Sequence, residues 1–79
     1  MITDEQLKQN LQRNIRRLLD QTEMSQSDLA RATGESRSRI SLVVNSCRVP
    51  SAASLARIAE ALDTTVDELI TNPKRKRSA

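Results

Sequence analysis

The chain has 79 residues and a net charge of +3, with 13 Lys and Arg against 10 Asp and Glu. A chain this short makes one domain with a thin core, because it buries only about 60% of the surface it exposes when unfolded. It holds no His, Phe, Tyr or Trp, one Cys and one Gly, which excludes the usual zinc and iron ligand sets, Ser–His and Cys–His nucleophile pairs, glycine-rich phosphate loops and base stacking on aromatic rings.

The pattern predicts five helices and no strand. Thr3 caps the first, with Gln6 three residues on completing a capping box. Leu7, Leu11, Ile15, Leu18 and Leu19 then form an apolar stripe over about residues 4–21, with Asn14 off that stripe and Arg13, Arg16 and Arg17 on a solvated face. Ser25 opens the second helix, 26–33, which buries Leu29, Ala30 and Thr33, places Asp28 near its positive end and stops at Gly34. Ser36 caps the third helix, 37–45, with Ile40, Val43 and Val44 inward; a loop, Cys47-Arg48-Val49-Pro50, follows.

Ser51 caps the fourth helix, 52–62, whose buried stripe is Leu55, Ile58, Ala59 and Leu62. After an Asp63-Thr64 joint, Thr65 and Glu68 make a second capping box for a last helix with Val66, Leu69 and Ile70, which Asn72-Pro73 ends. The expected organisation is a helical domain over residues 1–72 and a disordered basic tail over 73–79, Pro-Lys-Arg-Lys-Arg-Ser-Ala.

The charges segregate. Lys74, Arg75, Lys76 and Arg77 carry +4, so residues 1–72 carry −1. Residues 31–57 have a net charge of +4 and residues 58–72 a net charge of −4. A basic middle beside an acidic end suits one face to a polyanion and keeps another away from it. Cys47 has no partner for a disulfide, the Met1–Glu5 start lacks the basic and apolar regions of a secretion signal, and no apolar run exceeds four residues. We therefore expect a cytoplasmic protein, not an enzyme, with no membrane span, metal or cofactor.

Residues 26–45 carry the one specific constellation. Two short helices crossing steeply need a small residue at the crossing, Ala30, a residue that turns the backbone, Gly34, and apolar anchors, Ile40 and Val43. The second helix must expose its first residues, and Arg37, Ser38 and Arg39 are polar. This stretch, from Met24-Ser25-Gln26-Ser27-Asp28-Leu29-Ala30 to Asn45, resembles the lambda-repressor-like, Cro-type (XRE) helix-turn-helix family. Pro50-Ser51, Leu55–Leu62 and Val66–Leu69 resemble that family's fourth and fifth helices, so the likeness covers about residues 11–70.

The resemblance implies roles. Gln26 and Ser36 match phosphate contacts at the starts of the two motif helices, and Asn45 matches a backbone contact after the recognition helix. Arg37 and Ser38 match the paired base readers. Leu42 falls where some relatives place a third base reader; it touches either a thymine methyl, the core or a dimer partner. Arg39 and Arg48 are phosphate contacts or plain surface charges. Two departures stand out. Leu19 and Val44 occupy positions where many relatives pair an arginine with a glutamate, and Asp63 stands where relatives often have glycine.

The expected function is a sequence-specific double-stranded DNA-binding regulator, a repressor or control protein that binds a palindrome as a homodimer. Val66, Leu69 and Ile70 are the candidate dimer contact, with Val49 beside them, unless Val66 and Leu69 only complete the core. The alternatives are an antitoxin-type module with a toxin partner, and a protein- or RNA-binding scaffold.

Overall fold

The computed structural model describes residues 3–45 and 48–72. Ser46, Cys47 at the start of the expected loop, the stop at Pro73 and the tail 73–79 lie outside the described residues. Five helices follow in order: α1 (Asp4–Thr22), α2 (Gln26–Thr33), α3 (Arg37–Asn45), α4 (Ala52–Ala61) and α5 (Val66–Ile70). No strand occurs among the described residues, and no helix among them is long and apolar enough to cross a membrane.

The caps set the boundaries. The Thr3 hydroxyl accepts from the Gln6 N–H at 3.1 Å while the Gln6 side chain accepts from the Thr3 N–H at 3.0 Å. Ser25 and Asp28 form the same reciprocal pair, both bonds at 3.0 Å. Ser51 accepts from the Ser54 N–H at 3.2 Å. Of the box expected at Thr65, the Thr65 half is present, accepting from the Glu68 N–H at 3.1 Å. Each such cap is worth about 1 kcal/mol.

The Asp28 cap predicts an acid response. Hydrogen bonds from the Ser25 backbone N–H and then its hydroxyl, helped by Arg31, hold the Asp28 carboxyl below its ordinary 3.8, against a smaller opposing effect of burial. The contribution of Asp28 is therefore complete above its unfolded pKa and fades as pH falls through the lower folded value. Between about pH 5 and about pH 3 the thermal midpoint of the parent protein should fall toward that of Asp28→Ala. A gap between the two melting curves that stays constant over this range would remove Asp28 from the cap.

The core is one cluster. α1 gives it Leu11, Ile15 and Leu19, α2 gives Leu29 and Ala30, and α3 gives Ile40, Val43 and Val44. Ile58, Ala59, Leu62 and Leu69 close it from the C-terminal side. Leu19 and Val44 thus sit in the same apolar cluster, where relatives place opposite charges. The exchange leaves no buried charge to desolvate. The shortest extent of the domain, 19 Å, is two helices thick.

α1 and α4 both end in a left-handed residue that is not glycine, Glu23 at φ 56° and Asp63 at φ 55°. Behind each, the chain closes a six-residue loop, Met24 N–H to the Leu19 carbonyl at 3.0 Å and Thr64 N–H to the Ala59 carbonyl at 2.8 Å. Asp63 therefore takes a left-handed conformation without being glycine, and the joint before α5 is kept.

Asn14 corrects the sequence reading. It is only 1% exposed. Its amide nitrogen donates to the carbonyls of Glu68, Leu69 and Thr71 at 3.0, 2.7 and 2.8 Å. Asn10 donates to the Ile70 carbonyl at 3.1 Å. The last carbonyls of α5, which have no partner within their own helix, are satisfied by side chains of α1. A five-residue helix cannot persist alone, and α1 supplies both its apolar seat and its C-terminal partners.

Leu69 is a second correction. It is fully buried in the core, so it has no surface left for a dimer partner. Val66 packs half-buried against the cluster, and Ile70 is half-buried at the end of the helix.

Candidate nucleic-acid interface

The turn between α2 and α3 is fixed by two residues. Gly34 has φ 74°, and a Cβ there would meet nothing within 4 Å, so glycine serves the backbone angle and not the space. The buried Thr33 hydroxyl donates to the Leu29 carbonyl at 2.8 Å and accepts from the Glu35 N–H at 3.3 Å. Ser36 then caps α3, its hydroxyl accepting from the Arg39 N–H at 3.1 Å.

With Ile40, Val43 and Val44 buried, the opposite side of α3 faces solvent: Ser38, Arg39, Leu42 and Asn45 are exposed, as is Arg37 at the start of the helix. The first turn of α3 holds no acid, so its partial positive end adds to Arg37 and Arg39. Gln26 is the first residue of α2 and half-buried, and Ser36 is exposed at the start of α3. Both motif helices thus begin with a sequence-predicted phosphate contact.

The charges near this face sort themselves. Glu35 accepts a hydrogen bond from the Ser54 hydroxyl and lies 3.7 Å from Arg57. Arg31 pairs with Asp28 at 3.8 Å. The exposed Arg31–Asp28 pair adds little stability, but both pairs cancel charge locally. Arg37, Arg39 and Arg48 carry the net positive potential that remains around α3.

Beyond α3 the chain returns to it. The Arg48 N–H donates to the Leu42 carbonyl at 3.4 Å. A groove of about 370 Å³ results, lined by Arg39, Leu42, Arg48, Val49 and Pro50 above the buried Ile40. Arg39, Leu42 and Arg48 are therefore brought together, while Arg37 and Ser38 stand one turn earlier and Asn45 at the far end.

Sequence reasoning missed one part of this face. Arg16 donates to the Asn45 side-chain oxygen at 3.2 Å, and Gln12 to the Asn45 carbonyl at 3.5 Å. Asn45 in turn donates to Ser41 at 3.1 Å. A cation at the C-terminal end of α3 complements its partial negative charge. The signal was the four-residue spacing of Gln12 and Arg16, which puts them on one flank of α1. Among the described residues no group of three or more His, Cys, Asp or Glu side chains could hold a metal ion.

A family model described as helix-turn-helix matches residues 15–69. No curated protein matches the chain significantly. Among solved structures it is similar to the crystal structure of a hypothetical transcription factor, NHTF, from Neisseria. The two are 25% identical with a TM-score of 0.82, over 91% of this chain and 81% of that one. The family match runs from the middle of α1 through α5 and takes in both motif helices, and the chain belongs to the helix-turn-helix family, of the XRE type.

Proposed function

We propose that this protein is a sequence-specific double-stranded DNA-binding transcriptional regulator that places α3 in the major groove, and that it represses from a palindromic operator as a homodimer. The observation that carries the reading is the division of α3. Ile40, Val43 and Val44 anchor one side in the core, Ser38, Arg39 and Leu42 are left on the other, and Arg37 is exposed in the first turn. Family membership and the likeness to a hypothetical transcription factor support the coarser statement, a DNA-binding regulator.

In this reading Arg37, Ser38 and Leu42 read base edges. Gln26, Ser36, Arg39, Asn45 and Arg48 hold phosphates and fix the register. A repressor of this kind acts by occupancy, so nothing beyond the bound domain is needed to block a promoter.

A single three-turn helix reads about half a site. Two helices ~34 Å apart on one side of the duplex read a whole one, which makes a two-fold dimer the economical solution. Ile70 and Val66 are the surface we assign to that contact, well away from the basic face and flanked by Asp67 and Glu68. Selection of bound duplexes from a random pool should return a palindrome, and sequence-indifferent recovery would sink the regulator reading. Ile70→Lys should then remove cooperative pairing on that palindrome, read by analytical ultracentrifugation with and without DNA. Pairing that survives the substitution takes α5 out of the dimer contact.

A further inference from the structure

Among the described residues, two large hydrophobic side chains are exposed, Leu42 at 40% and Val49 at 36%. They are not scattered. Both line the groove beside α3, together with Arg39, Arg48 and Glu35, whose carboxylate is already engaged by Arg57 and the Ser54 hydroxyl. The bond from the Arg48 N–H to the Leu42 carbonyl fixes the returning loop against the helix at this point. Leu42 lies three residues after Arg39 and four after Ser38, so all three share one side of α3.

An exposed apolar pair sharing a groove with two arginines is a specific chemical pattern. A second copy meeting this groove with its own groove would bring its Arg39 and Arg48 against the same charges. A polyanion gains from both arginines, and it must also offer something apolar between its phosphates. In the major groove of duplex DNA one group does so, the C5-methyl of thymine. Uracil presents the same edge without it.

We infer that Leu42 and Val49 form a thymine-methyl slot, with Arg39 and Arg48 holding phosphates on either side, so that the protein requires thymine at one fixed position in each half-site. The inference rests on the DNA-binding reading above and adds a base identity to it. Hydrogen bonding from Arg37 and Ser38 reads polar edges and is independent of this slot.

Replacing a thymine by deoxyuridine deletes the methyl and leaves every base-pairing and hydrogen-bonding group in place. The test takes the duplex recovered by selection and exchanges each thymine for deoxyuridine in turn, with affinity read by fluorescence anisotropy at fixed salt. At one position per half-site the exchange should weaken binding about four-fold, and about sixteen-fold when made in both half-sites, the effect expected for losing one buried methyl in each. Leu42→Ala should bind both duplexes but no longer tell them apart, and Val49→Ala should narrow the difference. Both side chains are exposed, so circular dichroism should show parent-like folding for each variant. The slot is overturned if no thymine is sensitive to the exchange, or if Leu42→Ala keeps the full difference. A protein that prefers no duplex over a scrambled one overturns the regulator reading itself and the slot with it.

Discussion

Asn14→Ala should destabilise the domain by about 2–3 kcal/mol, the cost of leaving buried acceptors without a donor and opening a small cavity. For a chain of this size that corresponds to a fall in melting temperature of roughly 10–20 °C. The amide of Asn14 is the shared donor for the carbonyls of Glu68, Leu69 and Thr71, and its position is 1% exposed, so water cannot take its place. Asn14→Asp should be worse at neutral pH, because a carboxylate would face those carbonyl oxygens with no proton to give. Thermal denaturation followed by circular dichroism reads both. A loss of only a few degrees for the alanine variant would mean that Leu69, Val66 and the Asn10 bond hold α5 without the Asn14 amide.

Arg37→Ala should cost about 1–3 kcal/mol of binding to the selected duplex and leave binding to scrambled DNA almost unchanged. Arg37 stands exposed in the first turn of α3, one residue after the cap, at the end of the helix that the proposed docking leads into the major groove. An arginine there is matched to the O6 and N7 acceptors of guanine, and its loss should relax the preference at one position per half-site. Arg39→Ala, by contrast, should weaken both duplexes alike and flatten the salt dependence by up to ~0.9 per phosphate released. Competition binding at two salt concentrations separates the two. An unchanged ratio of selected to scrambled affinity in Arg37→Ala would remove it from the reading set.

The local signals in this sequence were legible because their physics is local. Thr3, Ser25, Ser36, Ser51 and Thr65 each accept from a backbone N–H three residues on, and a reader needs only that spacing to find them. The inward faces of α2 and α3 follow from helical period, and Gly34 from the turn. The polar partners were not legible in the same way. Asn14 sits between Leu11 and Leu18 at three- and four-residue steps, the signature of a buried position, yet its acceptors are backbone atoms whose location no residue type announces. The same holds for the Glu35 contacts with Ser54 and Arg57, which join α4 to the start of α3. Leu69 and Ile70 are equally apolar in the sequence. Only the packing of α5 on α1 decides that the first is interior and the second is left half in solvent.

The clasp between the asparagines of α1 and the end of α5 also sets an order of events during synthesis. Asn14 and the Leu69 carbonyl are separated by 55 positions. At a translation rate of 5–20 residues per second, the α1 amides wait roughly 3–11 s after they are made before their acceptors exist. The interval is occupied by α2, α3 and α4, which can pack on one another and on α1 as they emerge. Once α2, α3 and α4 have packed, the helix-turn-helix stands on an α1 with two exposed amides and an uncovered apolar seat until α5 arrives. That nascent species is the one a chaperone or protease would meet, and completion of the chain through Thr71 ends its exposure.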